Sequence, residues 1–326
     1  MATTSTEPET PEQRQVSTQW TKRGGGGDRV FLGLSQAAAI AIMAALAGVF
    51  VFLFIEGFDG MRLPADDYSD GGGATSFLGY VGPLVFGTAF SAVIALIIAV
   101  PLAIGIALFI SHYAPRRLAT PIGYVMDLLA AVPSVVYGLW GGSALAVALK
   151  PAIVWMGDNL NWLPFFDEDN VAVNGRTMIT VALVLAIMIL PIIAAICREI
   201  FARTPRLHEE AALALGATRF EMIRYAVFPY ARSGIISAVM LGLGRALGET
   251  MAVAMVLPSS FIVSFNLIGE SSPRTIAANI ASNYKESTPS TQSLLIATGL
   301  VLFAFTFAVN FAARYIAGSS ERRFAK

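Results

Sequence analysis

Uncharged apolar stretches long enough to cross a bilayer recur along this chain, separated by polar segments of unequal length. A helix needs about 20 apolar residues to cross the hydrocarbon core. Residues 30–55 carry no charge between Arg29 and Glu56 and predict a first span. The uncharged stretch 71–111 is too long for one ordinary crossing, so the second span is placed at 77–110, with an interfacial start and a bend at Pro101. Spans three to six are expected at 121–149, 177–197, 233–257 and 293–313; the third contains Asp127, and the fifth contains Arg245 and Glu249. The pattern therefore predicts an all-α integral membrane protein with six transmembrane helices. It divides into a disordered polar tail (1–29), a first span (30–55), an external loop (56–76), a five-span core (77–317) with a patterned inner loop (203–229), and a short tail (318–326).

Charge orients this set. With the N-terminus inside, the inner segments hold 16 Lys or Arg and the outer segments 5. That bias follows the positive-inside rule and makes both termini cytoplasmic. It gathers Glu56, Asp59, Asp66, Asp67 and Asp70 in the first outer loop, and Asp158, Asp167, Glu168 and Asp169 in the second. Trp140, Trp155 and Trp162 then lie toward the outer side, as an interfacial belt does.

Composition narrows the classes further. The chain is 56% hydrophobic and only 13% charged, against about a quarter charged in soluble domains. Its net charge of zero gives no general attraction to nucleic acid. A single cysteine excludes an intrachain disulfide and a thiolate metal cage, and Cys197 is expected to be a small buried apolar group. No cleavable signal is expected, because the first apolar run starts late and is long. His112, beside Pro115 and Arg116, reads as a headgroup-level residue, and Asp127 as a solvated interfacial carboxylate.

The inner loop is too polar to span. From His208 to Tyr225, apolar Ala211, Ala212, Leu215, Phe220 and Ile223 interleave with Arg219, Glu221 and Arg224. This predicts a short amphipathic helical element, interrupted near Gly216, preceded by Pro205 and ended by Pro229. It would lie on the cytoplasmic face with an apolar knob, resting on lipid headgroups or docking on another subunit.

Glu210-Ala211-Ala212, three residues, Gly216, nine residues and Ala226-Val227-Phe228-Pro229 resemble the Glu-Ala-Ala loop of binding-protein-dependent ABC importer permeases. The family's Ile and Leu before the proline are replaced by Ala226 and Phe228, both apolar. The resemblance implies the six-span type I importer permease (MetI-like) fold, and docking of this loop in a cleft of an ATPase subunit. Carried over, Glu210, Ala211, Ala212, Leu215, Gly216, Ala217 and Phe220 are the contact residues.

Span five carries the other candidate chemistry. Arg245 and Glu249 fall near mid-bilayer and, four apart on a continuous helix, would share a face and pair. Charges at that depth are costly and commonly functional. A guanidinium offers a planar fork of donors that suits a tetrahedral oxyanion. A structural ion pair between helices is the alternative. Gly244 and Gly248 form a small-xxx-small pair expected to let another helix approach. Pro133 interrupts span three, where the turn either lines a pathway with the hydroxyls of Ser134 and Tyr137 or packs as a kink. No Gly-x-x-x-x-Gly-Lys-Ser/Thr loop occurs, so ATP is expected to be hydrolysed elsewhere.

The segment from Leu241 to Val253, including Arg245, Glu249 and Thr250, is similar to the PstC permeases of phosphate-specific ABC importers, as is Val132 to Gly141. The resemblance covers roughly residues 82–314. It implies a non-catalytic plasma-membrane subunit that translocates phosphate by alternating access, with Arg245 and Glu249 in the pathway. The implied partners are a PstA-like second permease, two copies of a PstB-like ATPase that uses ATP and Mg, a PstS-like external binding protein, and lipid. No cofactor or metal is expected on this chain itself. The alternatives are the PstA-type partner subunit, or a permease for another oxyanion or small solute.

Overall fold

The computed structural model describes residues 26–64, 68, 73–166, 171–258 and 260–324. The tail 1–25, the acids Asp66, Asp67, Asp70, Asp167, Glu168 and Asp169, and the last two residues lie outside the described residues. Among the described residues, six helices are long and apolar enough to cross a membrane. The chain divides into two compact units, Met1–Val49 and Phe50–Lys326. The described part of the first is the leading portion of α1 (Gly26–Gly60), a helix whose apolar side chains are exposed from Val30 onward.

The second unit is built around two helices, α2 (Phe77–Leu108) and α6 (Met178–Ala202). Ser76 caps α2 by accepting from Gly79 N at 3.2 Å, and Thr177 caps α6 through Thr180 N. Along α2, Ala92, Ala95, Ala99, Ala103 and Ala107 recur at helical spacing and are fully buried. This small stripe lets α6 approach with Val181, Leu185, Met188 and Ile189, which is how helices pack tightly where lipid removes the hydrophobic drive. Cys197 is buried in the same core, as the sequence indicates. The helix continues through Pro101, and the irregularity falls instead at a π turn, Phe109–Tyr113.

The third span differs from its expected position. Residues 121–149 are not one helix: α3 (Arg116–Ala131) stops at an extended Val132, and a separate crossing begins at Ser134. Pro133 is the cause. It lacks an N–H, and its ring disfavours helical geometry at the residue before it. The crossing consists of α4 (Ser134–Trp140), a π turn (Gly141–Leu145) and α5 (Ala146–Leu160). Asp127 therefore sits on α3 rather than in a span, and its carboxylate lies 3.9 Å from Arg198 on α6.

The inner loop folds as α7 (Arg206–Ala214), a turn, α8 (Arg219–Met222) and a π turn (Ile223–Val227) that runs into α9 (Phe228–Leu247). Pro229 does not end the loop element; it occupies the first turn of α9, directly after the π turn. Span five is also broken, with α9 stopping at Leu247 and α10 (Met251–Val256) following after three non-helical residues. The last segment between spans, expected to be a polar loop, is buried over residues 272–279. It contains α11 (Ile276–Asn283), whose Ile276, Ala278 and Asn279 are fully enclosed. Thr88 accepts from Ile276 N at 3.0 Å and Tyr80 accepts from Asn279 Nδ2 at 3.0 Å, so this segment is hydrogen-bonded to α2. The final helix, α12 (Pro289–Phe324), extends through most of the predicted C-terminal tail.

Candidate functional site

α4 and α10 pack directly against each other, and each begins where the helical chain is interrupted, α4 after Pro133 and α10 after the stop at Leu247. Their closeness depends on Gly138: a Cβ there would lie 2.7 Å from Ala252 Cα. Pro133 leaves the carbonyl of Leu129, four residues back, without its helical donor. The Tyr137 hydroxyl donates to that carbonyl at 2.8 Å, bridging the break from the other side. Tyr137 is thus buried, with its proton committed to the backbone, while Ser134 at the start of α4 is half-buried. Tyr137 also lies within electrostatic reach of Arg245.

The break at Gly248 to Thr250 changes the expected relation between the two span-five charges. A four-residue spacing brings side chains together only while the helix continues. Here it stops, and among the described residues no ion pair joins Arg245 and Glu249. Glu249 is 8% exposed and its Oε1 accepts from Ala252 N at 3.1 Å, so the carboxylate caps α10. Thr250, half-buried, follows it in the break. Gly244 faces open space, and the close helix approaches occur at Gly234 against Ile200 and Gly242 against Ile193.

Arg245 is exposed into a groove of about 1090 Å³ between α9 and α12, closed at the back by Ile192. Leu241, Gly244 and Ser237 line it from α9, and Phe307, Asn310 and Arg314 from α12. The structure thus brings Arg245, Glu249, Thr250, Ser134 and Tyr137 to one neighbourhood, but only Arg245 among them lines the groove.

The inner loop presents the predicted apolar knob. Leu215 is 90% exposed and Phe220 65%, with Glu210, Ala211 and Gly216 also exposed and Ala212 and Ala217 half-buried. Gly216 has φ +88°, a left-handed conformation that a side chain would resist. Thr218 and Glu221 form a reciprocal capping box that restarts the helix just beyond it. A groove of about 620 Å³ runs behind the knob, between α7 and the start of α9, lined by Leu207, Ala211, Leu215, Tyr225 and Tyr230.

Three features were not evident in the sequence. His112 is packed inside the protein: its side chain is 9% exposed, it lies edge-on to Phe201, and its Nε2 is 3.7 Å from Glu209 of α7. Arg314 shares a groove with Arg245. Arg274, in the last outer segment, is 3% exposed and donates to Ser282; burial pulls its pKa below the usual arginine value, with Tyr80 partly offsetting this. Only the unusual density of small and polar residues from Ser271 to Asn279 could have signalled the burial of that segment. Among the described residues, no group of three or more His, Cys, Asp or Glu side chains is placed to hold a metal.

Residues 99–322, which include both breaks, the groove and the inner loop, match the family described as binding-protein-dependent transport system inner membrane component. The chain belongs to that family. This permease is similar to the phosphate transport system permease protein PstC 2 of Mycobacterium tuberculosis, with 43% identity over 90% of this chain and 92% of the relative. It is also similar to PstC of Mycobacterium leprae, at 47% identity over 71% of this chain and 73% of the relative. PstC of Mesorhizobium japonicum is 36% identical over 89% of each. A crystal structure of a bacterial ABC transporter involved in the import of the acidic polysaccharide alginate matches with a TM-score of 0.58 at 13% identity, covering 91% of this permease and 100% of that chain. That likeness concerns the fold alone: the six-span, all-α importer-permease architecture that the sequence predicts.

Proposed function

We propose that this permease is the PstC-type half of an ATP-driven importer of inorganic phosphate. The observation that carries the reading is Arg245, a cation in the last turn of α9, exposed to a groove and without a hydrogen-bond or ion-pair partner among the described residues. A charge at the centre of a bilayer costs roughly 2.5–3.5 kcal/mol. An unpaired guanidinium kept within an apolar membrane-spanning helix suits an anionic cargo that neutralises it in passing, and a neutral solute has no need of one. The relatives named PstC point to phosphate as the anion.

A PstA-like permease closes the groove from the other side, and a PstS-like binding protein delivers phosphate to the outer loops. One of two PstB-like ATPase copies binds the exposed face at Glu210, Ala211, Ala212, Leu215, Gly216, Ala217 and Phe220, and the other serves the PstA-like permease. ATP with Mg is hydrolysed on those subunits, and this chain performs no covalent chemistry. Closure of the ATPase pair moves α7, and His112 and the π turn after α8 pass the motion to α2 and α9, alternating the access of the groove. The permease sits in the plasma membrane with both termini in the cytoplasm, as the distribution of basic residues favours.

Uptake of radiolabelled phosphate at low micromolar concentration tests this. Cells lacking the chain should regain uptake when it is restored, should not regain it with Glu210→Ala, and excess sulfate should not compete. Uptake indifferent to the chain, or blocked by sulfate, would contradict the assignment.

A further inference from the structure

The groove that exposes Arg245 holds a second arginine for which the transport scheme above has no use. Its walls are mostly apolar, Ile192, Met240 and Phe311 among them, yet polar groups run along it: Arg245 and Ser237 from α9, Asn310 and Arg314 from α12. On α9, Ser237, Leu241 and Arg245 recur every fourth residue and share one face, as do Asn310 and Arg314 on α12. As consecutive spans, the two helices cross in opposite directions. With opposite directions, the lining residues of α9 run from Ile236 to Arg245 while those of α12 run from Arg314 back to Phe307. This puts Arg314 toward the Ile236 end of the groove, the end nearer the inner loop, and Arg245 toward the other. The lining stretches of the two helices each extend roughly 10–14 Å along the groove by helical rise, room for two separate anion positions. Like Arg245, Arg314 is exposed and has no hydrogen-bond or ion-pair partner among the described residues.

We propose that Arg314, with the amide of Asn310, forms a second oxyanion station at the inner end of the groove, taking phosphate from Arg245 before release to the cytoplasm. This rests on the reading of the groove as a phosphate pathway. One tight site cannot both capture an anion and let it leave quickly. Two weaker sites in series can, because each step exchanges one set of charge-assisted hydrogen bonds for another. Asn310 adds two amide donors one helical turn from the guanidinium, which suits the several oxygens of a phosphate ion. The same fork would also hold the phosphate of an anionic lipid headgroup in the inner leaflet. The shared chemistry is a phosphate oxyanion on a guanidinium, and the source is an outcome of the test.

The complete transporter, with both permeases, the ATPase and the binding protein, is reconstituted in vesicles of zwitterionic lipid and, separately, of zwitterionic lipid with an anionic component. Wild type, Arg314→Gln, Arg314→Lys and Arg245→Gln are compared for the rate of phosphate transport and for its inhibition by inorganic phosphate on the ATPase face. Arg314→Gln should slow transport about tenfold in both lipids, and raise the half-inhibiting phosphate concentration about tenfold, the effect of losing one charge-assisted contact. Arg314→Lys, which keeps the charge but not the fork, should fall between. Unchanged inhibition by inner phosphate overturns the station. So does a loss confined to vesicles with anionic lipid, which makes Arg314 a headgroup anchor. If wild type transports and Arg245→Gln does not, either result leaves the pathway reading in place; a wild type that moves no phosphate overturns that reading and the station together.

Discussion

His112 Nε2 lies 3.7 Å from Glu209 Oε1, joining the π turn that follows α2 to the exposed helix α7. The His112 ring is packed edge-on to Phe201 at the end of α6, and Phe201 in turn meets Phe228 at the start of α9. One exposed helix thus bears on three spanning helices through a single imidazole and two phenyl rings. His112→Ala should lower phosphate transported per ATP hydrolysed at least threefold while the complex still assembles, because it removes the packed ring. Glu209→Gln, which keeps the shape and loses a partly exposed pair worth about 0–1 kcal/mol, should change that ratio less than about twofold. The ratio is measured in reconstituted vesicles; equal ratios for wild type and His112→Ala would exclude the linkage.

Gly216 turns the chain between α7 and α8 with φ +88°. Gly216→Val should strain that turn by about 1–2 kcal/mol and displace Leu215 and Phe220. Gly216→Asn, which tolerates the left-handed region better, should be milder. Co-purification of the ATPase subunit reports the difference, and the order expected is wild type, Asn, then Val.

Gly138 sets the contact between α4 and α10. A Cβ 2.7 Å from Ala252 Cα meets backbone that cannot yield cheaply, so Gly138→Ala should destabilise by about 1–3 kcal/mol. It should lower the unfolding temperature in detergent. A matching change at Gly244, where a Cβ meets nothing within 4 Å, should leave that temperature unchanged.

The buried outer segment depends on polar bonds as well as packing. Tyr80→Phe removes the acceptor for the Asn279 amide, a fully buried donor, at a cost of about 1–3 kcal/mol. Limited proteolysis from the outer side should then cut between residues 258 and 292 at least several-fold faster than in wild type.

Much of this was legible in the sequence, for particular physical reasons. Span positions follow from hydropathy because a bilayer admits few alternatives to a long apolar helix. The knob at Leu215 and Phe220 followed from an amphipathic pattern punctuated by Gly216, and the structure leaves both exposed. The breaks were less legible. Pro133 was visible as an interruption, but not that α3 would lie outside the span, since residues 121–131 are apolar enough to continue it. The stop at Gly248 has no proline to announce it, and the four-residue spacing of Arg245 and Glu249 suggested a pair that the stop prevents. Long-range relations, His112 with Glu209, Tyr80 with Asn279, and the groove that Arg245 and Arg314 both line, come from tertiary packing of distant segments and leave no local signature.

The most direct test concerns Arg245. Arg245→Gln and wild type, each assembled with both ATPase copies, the second permease and the binding protein, are compared for binding-protein-dependent phosphate transport in vesicles. Loss of at least about 100-fold in transport, from about 3 kcal/mol of lost charge-assisted contact, with the complex intact, is the expected result. Transport at the wild-type rate would contradict the assignment of the groove as an anion pathway.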